Sequence, residues 1–126
     1  MDDRSATITI GGVEYELTLT TRATKEIAGR YGGLEKLGDK LMKSENFEQA
    51  IEEIVWLISL LANQSIEIYN YKHPDKQKAQ LTTDMVELLT TPYDLAEFKS
   101  AIMQALQRGT KRNVESEDTG KNRAAE

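Results

Sequence analysis

The residues of this chain that could carry out chemistry are its one histidine and its carboxylates. His73 precedes a proline in a charged segment, and the sequence holds no second imidazole to join it in binding a metal. Two acid pairs, Glu52–Glu53 and Asp94–Glu97, have the residue type that general acid–base catalysis needs. Both lie at a predicted helix start or on a predicted polar helix face, where acids favour solubility and interact with the helix dipole. We therefore expect no catalytic residue and no enzyme activity.

The sequence also lacks the signatures of common cofactor and metal sites. Cysteine is absent, which excludes disulfides, cysteine nucleophiles and thiolate metal sites. The glycines at 29, 32 and 33 follow a predicted helix rather than a strand, so they do not form a phosphate-binding loop. Neither a G-x-S-x-G nor an H-E-x-x-H pattern occurs. No cofactor-binding or metal-binding residue is predicted.

Charge and hydropathy argue against nucleic-acid and membrane partners. The net charge is −5 over 126 residues, whereas a nucleic-acid binder needs a basic surface to neutralise phosphates. The lysines of the 72–78 segment alternate with Asp75 and Gln77, which is typical of a solvated loop. The N-terminus has no apolar signal segment, and the longest apolar run, residues 54–62, is shorter than the roughly 20 residues that a membrane span requires. We expect a soluble, cytoplasmic protein.

The periodicity of apolar residues predicts a predominantly helical α+β fold. Strand-like alternation over residues 6–19, around Gly11-Gly12, indicates a β-hairpin. Helical periodicity, cap residues and helix breakers predict five helices, at residues 21–31, 34–43, 47–69, 84–89 and 92–108. Because a two-stranded hairpin is marginal by itself, its apolar face should pack on these helices. We predict one folded domain over residues 1–109, with Gly109 ending the last helix, and a disordered tail over residues 110–126.

The long central helix, residues 47–69, is apolar on more than one face. At about 100° per residue, one broad stripe faces the core; its members are Ile51, Ile54, Val55, Ile58, Leu61, Ala62, Ile66 and Tyr69. Trp56 and Leu60 fall on the opposite side, among glutamates. Two interpretations stay open: neighbouring elements cover these two side chains, or they bind a partner's amphipathic helix with Trp56 as the anchor.

Four segments make the chain resemble the tail assembly chaperones of long-tailed bacteriophages and prophages, especially those of Gram-positive hosts. They are TITIGGVEYELTLTTRATKEI, RYGGLEKL, IVWLISLLANQSIEIYN and LTTPYDLAEFKSAIMQAL. The resemblance covers residues 7–109 and consists of packing residues. It implies a non-enzymatic protein of the host cytoplasm that binds the tape measure protein, keeps that long helical chain soluble, and helps to recruit tail tube subunits.

Other classes of function stay open. A structural tail-completion or head–tail connector protein would share the small size but would be found in mature particles. A small hydrolase or transferase would need a concave pocket with carboxyl groups of perturbed pKa. Self-association of the chain also stays open.

The resemblance further implies that a longer product can arise by programmed frameshifting near the end of the reading frame. Gly120-Lys121-Asn122 can be encoded by a string that contains the slippery heptamer A-AAA-AAC. A disordered tail would tolerate such an extension, because few buried contacts would cross the junction.

Overall fold

The chain forms a β-hairpin followed by five helices. The computed structural model describes residues 5–43 and 47–125, with backbone only at positions 38, 41–43, 47 and 111–125. The strands are β1 (Ser5–Ile10) and β2 (Val13–Thr18), and the helices are α1 (Thr21–Tyr31), α2 (Leu34–Lys43), α3 (Phe47–Lys72), α4 (Thr83–Leu89) and α5 (Pro92–Ala125). The predicted α+β fold, with a hairpin packed on five helices and one long central helix, is confirmed.

The hairpin forms where the alternation and the two glycines predict it. Its strands are antiparallel, with Ser5 opposite Thr18 and Ile10 opposite Val13. Gly11 and Gly12 have φ angles of 57° and 80°, the positive values that a tight primed turn requires. The apolar side chains of β1 are buried, as is Leu17 of β2, and these strands pack on α3 and α5. The hairpin therefore uses the helices to bury its apolar face, as expected.

The central helix α3 is surrounded by the rest of the domain. It contacts β2, α1, α2, α4 and α5. The predicted core stripe is buried from Ile54 to Ile66, with Ile51 and Tyr69 half-buried. Leu57, outside that stripe, is also fully buried. A helix covered on several sides explains why its apolar residues are not confined to one face.

Threonine side chains cap the N-termini of α1, α4 and α5. The Thr20 hydroxyl accepts from the Ala23 N–H at 3.0 Å and so caps α1. Thr82 caps α4 in the same way. At the start of α5 the capping is reciprocal, since the Thr91 N–H donates to the Asp94 carboxylate at 2.9 Å and the Asp94 N–H donates to the Thr91 hydroxyl at 3.3 Å.

Two predicted helix ends are wrong. Helix α3 continues three residues beyond residue 69, to Lys72, because only the residue before Pro74 is forced out of helical geometry. Helix α5 continues past Gly109 to Ala125, so its backbone is also helical over the predicted tail. The exclusion of residues 110–126 from the folded domain stays a prediction, and residues 1–4, 44–46 and 126 lie outside the described residues.

The role of Gly109 explains the error in α5. A Cβ atom at this position would lie 2.7 Å from the Cβ of Leu19, closer than real carbon contacts allow. The preceding residue, Arg108, donates to the backbone carbonyl of Ser5 at 2.6 Å. Gly109 therefore permits a close approach between α5 and the hairpin rather than ending the helix.

Candidate partner-binding surface

Trp56, one of the two residues predicted to bind a partner, is half-buried between α1 and α3. The Tyr31 ring lies edge-on to it, with centroids 6.0 Å apart and an interplanar angle of 71°. The guanidinium carbon of Arg30 lies 4.5 Å from the centroid of the Trp56 ring. Trp56 also packs against the hydrophobic core. Residues of α1 thus partly cover this side chain.

Glu53 is buried beside this tryptophan, contrary to its predicted place on a solvated helix face. Only 7% of the residue is exposed. Its carboxylate accepts from the Tyr31 hydroxyl and from Arg30 Nε at 3.3 Å, and Lys40 Nζ lies 3.9 Å away. The prediction is wrong because α1 and α2 bring three donors to this side of α3, which compensates the desolvation of the acid.

Leu60, the second predicted partner-binding residue, is half-buried and also packs against the core. Its backbone carbonyl accepts from the Gln64 side chain at 3.2 Å. The Gln64 side chain in turn accepts from the Thr20 hydroxyl at 2.5 Å, which ties the cap of α1 to α3. Both Trp56 and Leu60 therefore contribute to packing, and their role in binding a partner stays a prediction.

The other acid pairs considered for chemistry do not form a common site. Glu52 is exposed, whereas its neighbour Glu53 turns toward α1. Asp94 caps α5, and Glu97 accepts a hydrogen bond from the Tyr93 hydroxyl. Each of these carboxylates thus either faces solvent or has a structural partner.

His73 lies in an exposed loop, as expected. Its ring stacks on that of Tyr69 with centroids 4.1 Å apart, and its Nδ1 lies 2.9 Å from the Tyr69 carbonyl. The 71–80 segment, including its lysines, is exposed throughout. Among the described residues, no group of three or more His, Asp or Glu side chains could hold a metal ion.

A groove of about 590 Å³ separates the first half of α3 from the junction of α4 and α5. We call this space the α3–α5 groove. Its lining consists of Glu48, Ile51, Glu52, Val55, Glu87, Thr90, Thr91, Pro92 and Leu95. Val55 and Leu95 are buried at its floor, Ile51 is half-buried, and the three glutamates are exposed. The groove therefore combines an apolar floor with an acidic rim.

The end of α4 and the start of α5 carry large apolar side chains that are exposed to solvent and adjoin groove-lining residues in sequence. We call residues 87–93 the α4–α5 corner. Leu88 is 83% exposed and Tyr93 is 73% exposed, and Leu89 is also exposed. Leu89 extends toward the hairpin, since a Cβ on Gly11 would lie 3.1 Å from its Cδ1 atom. Large apolar side chains that are exposed close together are typical of a surface that binds another protein.

Sequence reasoning missed this surface. Neither Trp56 nor Leu60 belongs to the lining, whereas Glu48, Glu87 and Pro92 do. One signal was available, because the pair Leu88-Leu89 ends a seven-residue helix in which Val86 already faces the core. Residues at successive positions of a helix do not share a face, so at least one leucine had to point away from the core.

Comparison of the chain with protein-family models, with curated proteins and with solved structures finds no match. Over the part of the chain that the structure describes, none of the helices is long and apolar enough to cross a membrane.

Proposed function

We propose that this protein is a non-enzymatic assembly chaperone of a phage or prophage tail, which binds the tape measure protein and helps to recruit tail tube subunits. The observation that carries the proposal is the apolar surface formed by the α3–α5 groove and the α4–α5 corner. A small acidic domain with such a surface is suited to covering the exposed helices of another chain. Its net charge of −5 favours solubility of the complex.

The arrangement of the polar residues supports binding rather than catalysis. The carboxylate of Glu53 is buried in contact with Arg30 of α1, and that of Asp94 caps α5. The carboxylates on the groove rim, Glu48, Glu52 and Glu87, are exposed to solvent. The groove therefore presents a concave apolar surface with negative charge at its rim, to which a partner can bind.

Co-expression with a segment of the tape measure protein from the same phage genome tests the proposal. The wild-type chain should keep that segment soluble and elute with it as one complex. Leu88→Gln combined with Tyr93→Gln should remove this effect, because both side chains are exposed and their loss leaves the core intact. Tyr71→Gln is the matched control, since Tyr71 is exposed on the opposite end of α3.

Insolubility of the segment in the presence of the wild-type chain would contradict the proposal. Mass spectrometry of mature virions provides a second test. An assembly chaperone should be absent from the finished particle, whereas a tail-completion or connector protein would be present in a fixed copy number.

A further inference from the structure

We infer that the α3–α5 groove binds one face of a basic amphipathic helix, with the apolar stripe of that helix on the groove floor and its lysines or arginines beside the rim. This inference rests on the proposed function, since it states which chemistry within the tape measure protein the groove selects. It follows from the spacing of the lining residues, the nature of the floor and the distribution of charge.

The spacing of the lining residues on α3 favours a helical partner. Glu48, Ile51, Glu52 and Val55 stand at positions i, i+3, i+4 and i+7 of one helix face. This is the row of side chains that a neighbouring helix packs against, and it extends for about 10 Å along the axis. The corner between α4 and α5 forms the opposite wall. The groove thus leaves this face of α3 open at a position where a neighbouring helix could pack.

The floor of the groove requires apolar side chains from the partner. Val55 and Leu95 form the floor of the groove, and Ile51 and Pro92 contribute apolar side chains to its walls. A volume of about 590 Å³ accommodates several side chains from one helix face, while the rest of that helix stays outside. Leu88 and Tyr93, which are exposed and follow the lining residues Glu87 and Pro92 in sequence, are available for apolar contact with a longer partner.

The charge on the rim determines the sign of the flanking residues. Glu48, Glu52 and Glu87 carry three carboxylates, and the described lining residues include no lysine, arginine or histidine. The N-terminus of α5, which could have offered N–H groups to an anion, is occupied by the reciprocal Thr91–Asp94 cap. The groove therefore presents acceptors and negative charge, which complement a basic partner and repel an acidic one.

Two fluorescein-labelled synthetic helices test the inference against the full chain. Both are about 18 residues long, which is enough for helix formation, and share one leucine stripe, with lysines flanking it in one peptide and glutamates in the other. By fluorescence anisotropy, the lysine peptide should bind at least about tenfold more tightly than the glutamate peptide, and added salt should reduce the difference. The methyl NMR signals of Ile51, Val55 and Leu95 should shift on binding.

A double charge reversal on the groove rim is compared with an equal charge reversal elsewhere on the surface. Glu52→Lys combined with Glu87→Lys should invert the preference between the two peptides. Glu14→Lys combined with Glu26→Lys changes the net charge by the same amount at exposed positions outside the groove and should leave the preference unchanged. Circular dichroism checks that the wild-type chain and the two double variants are equally folded.

Equal affinity for both peptides, no saturable binding, or methyl shifts confined to other regions would overturn the inference. Its failure can be distinguished from that of the proposed function. If the wild-type chain and the rim variant keep the tape measure segment soluble equally well, the inference is wrong and the proposed function stands. If the lysine peptide binds the groove but the segment stays insoluble, the inference stands and the proposed function is wrong.

Discussion

The guanidinium carbon of Arg30 lies 4.5 Å from the centroid of the Trp56 ring, in the range of a cation–π interaction. The same guanidinium donates to the buried carboxylate of Glu53 at 3.3 Å and 3.4 Å. One arginine of α1 therefore contacts both the large apolar residue and the buried acid of α3. This relationship places Trp56 in the packing between two helices, while the open apolar surface lies at the α3–α5 groove.

Truncation of Trp56 distinguishes a role of this side chain in packing from a role in binding a partner. Trp56→Ala should lower the free energy of unfolding by about 2 kcal/mol, less than for a fully buried aromatic residue because the side chain is only half-buried. Urea denaturation measures the loss, with Leu88→Ala as an exposed control that should be nearly neutral. Unchanged stability together with lost binding of the tape measure segment would instead make Trp56 the partner's anchor.

Removal of one hydroxyl tests the burial of Glu53. Tyr31→Phe should cost about 1–3 kcal/mol of stability, because the buried carboxylate loses a donor that water cannot easily replace. The same substitution at the exposed Tyr71 is the control and should have little effect. A neutral Tyr31→Phe variant would show that Glu53 is hydrated in solution.

Two glycines within helices should respond in opposite directions to alanine. Gly29→Ala should stabilise the protein by up to about 1 kcal/mol, since a Cβ there meets no atom within 4 Å and alanine is the better helix former. Gly109→Ala should destabilise by about 1–3 kcal/mol, because its Cβ would overlap Leu19. Thermal unfolding of the two variants compares them directly, and a stabilised Gly109→Ala variant would rule out the close approach of α5 to the hairpin.

The difference between these glycines illustrates how far the sequence predicts the fold. Alternation around Gly11-Gly12 and the cap residues of the helices are local signals, and they correctly predict the hairpin and the starts of α1 and α5, while α4 begins one residue before its predicted start. The contact of Gly109 with Leu19 joins positions far apart in the chain. A glycine at a close tertiary contact and a glycine at a helix C-terminus look the same in sequence, so the end of α5 was predicted wrongly.

The candidate site was harder to predict for a related reason. A helical wheel gives the direction of each side chain of α3 around the helix axis. It does not show which neighbouring helix or strand that side chain contacts. It therefore put Glu52 and Glu53 on one polar face, although one lines the groove and the other is buried against α1. The groove itself depends on how Leu95 and the α4–α5 corner are placed beside α3, and no local pattern encodes that placement.

The phenol of Tyr93 should titrate above the usual range. A hydrogen bond to Glu97 and the negative charge of that residue raise the pKa of Tyr93 from its ordinary value of 10.0. The neutral phenol is favoured in the folded state, so its contribution to stability is present below the unfolded-state pKa and is lost as the pH rises through the folded-state pKa. Glu97→Gln should lower the pKa of Tyr93, as measured by an NMR titration of the ring carbons, and an unchanged pKa would contradict the contact.

Site-specific photo-crosslinking tests the central claim, that the protein binds the tape measure protein through the surface beside α4 and α5. A photoreactive phenylalanine analogue replaces Leu88 in one variant and Tyr71 in another, both exposed positions, and each variant is co-expressed with the tape measure protein of the same phage. We predict a crosslinked product from position 88, identified by mass spectrometry as a tape measure peptide rich in lysine or arginine, and none from position 71. Equal crosslinking at the two positions, or crosslinking of position 88 to no tape measure peptide, would contradict the account.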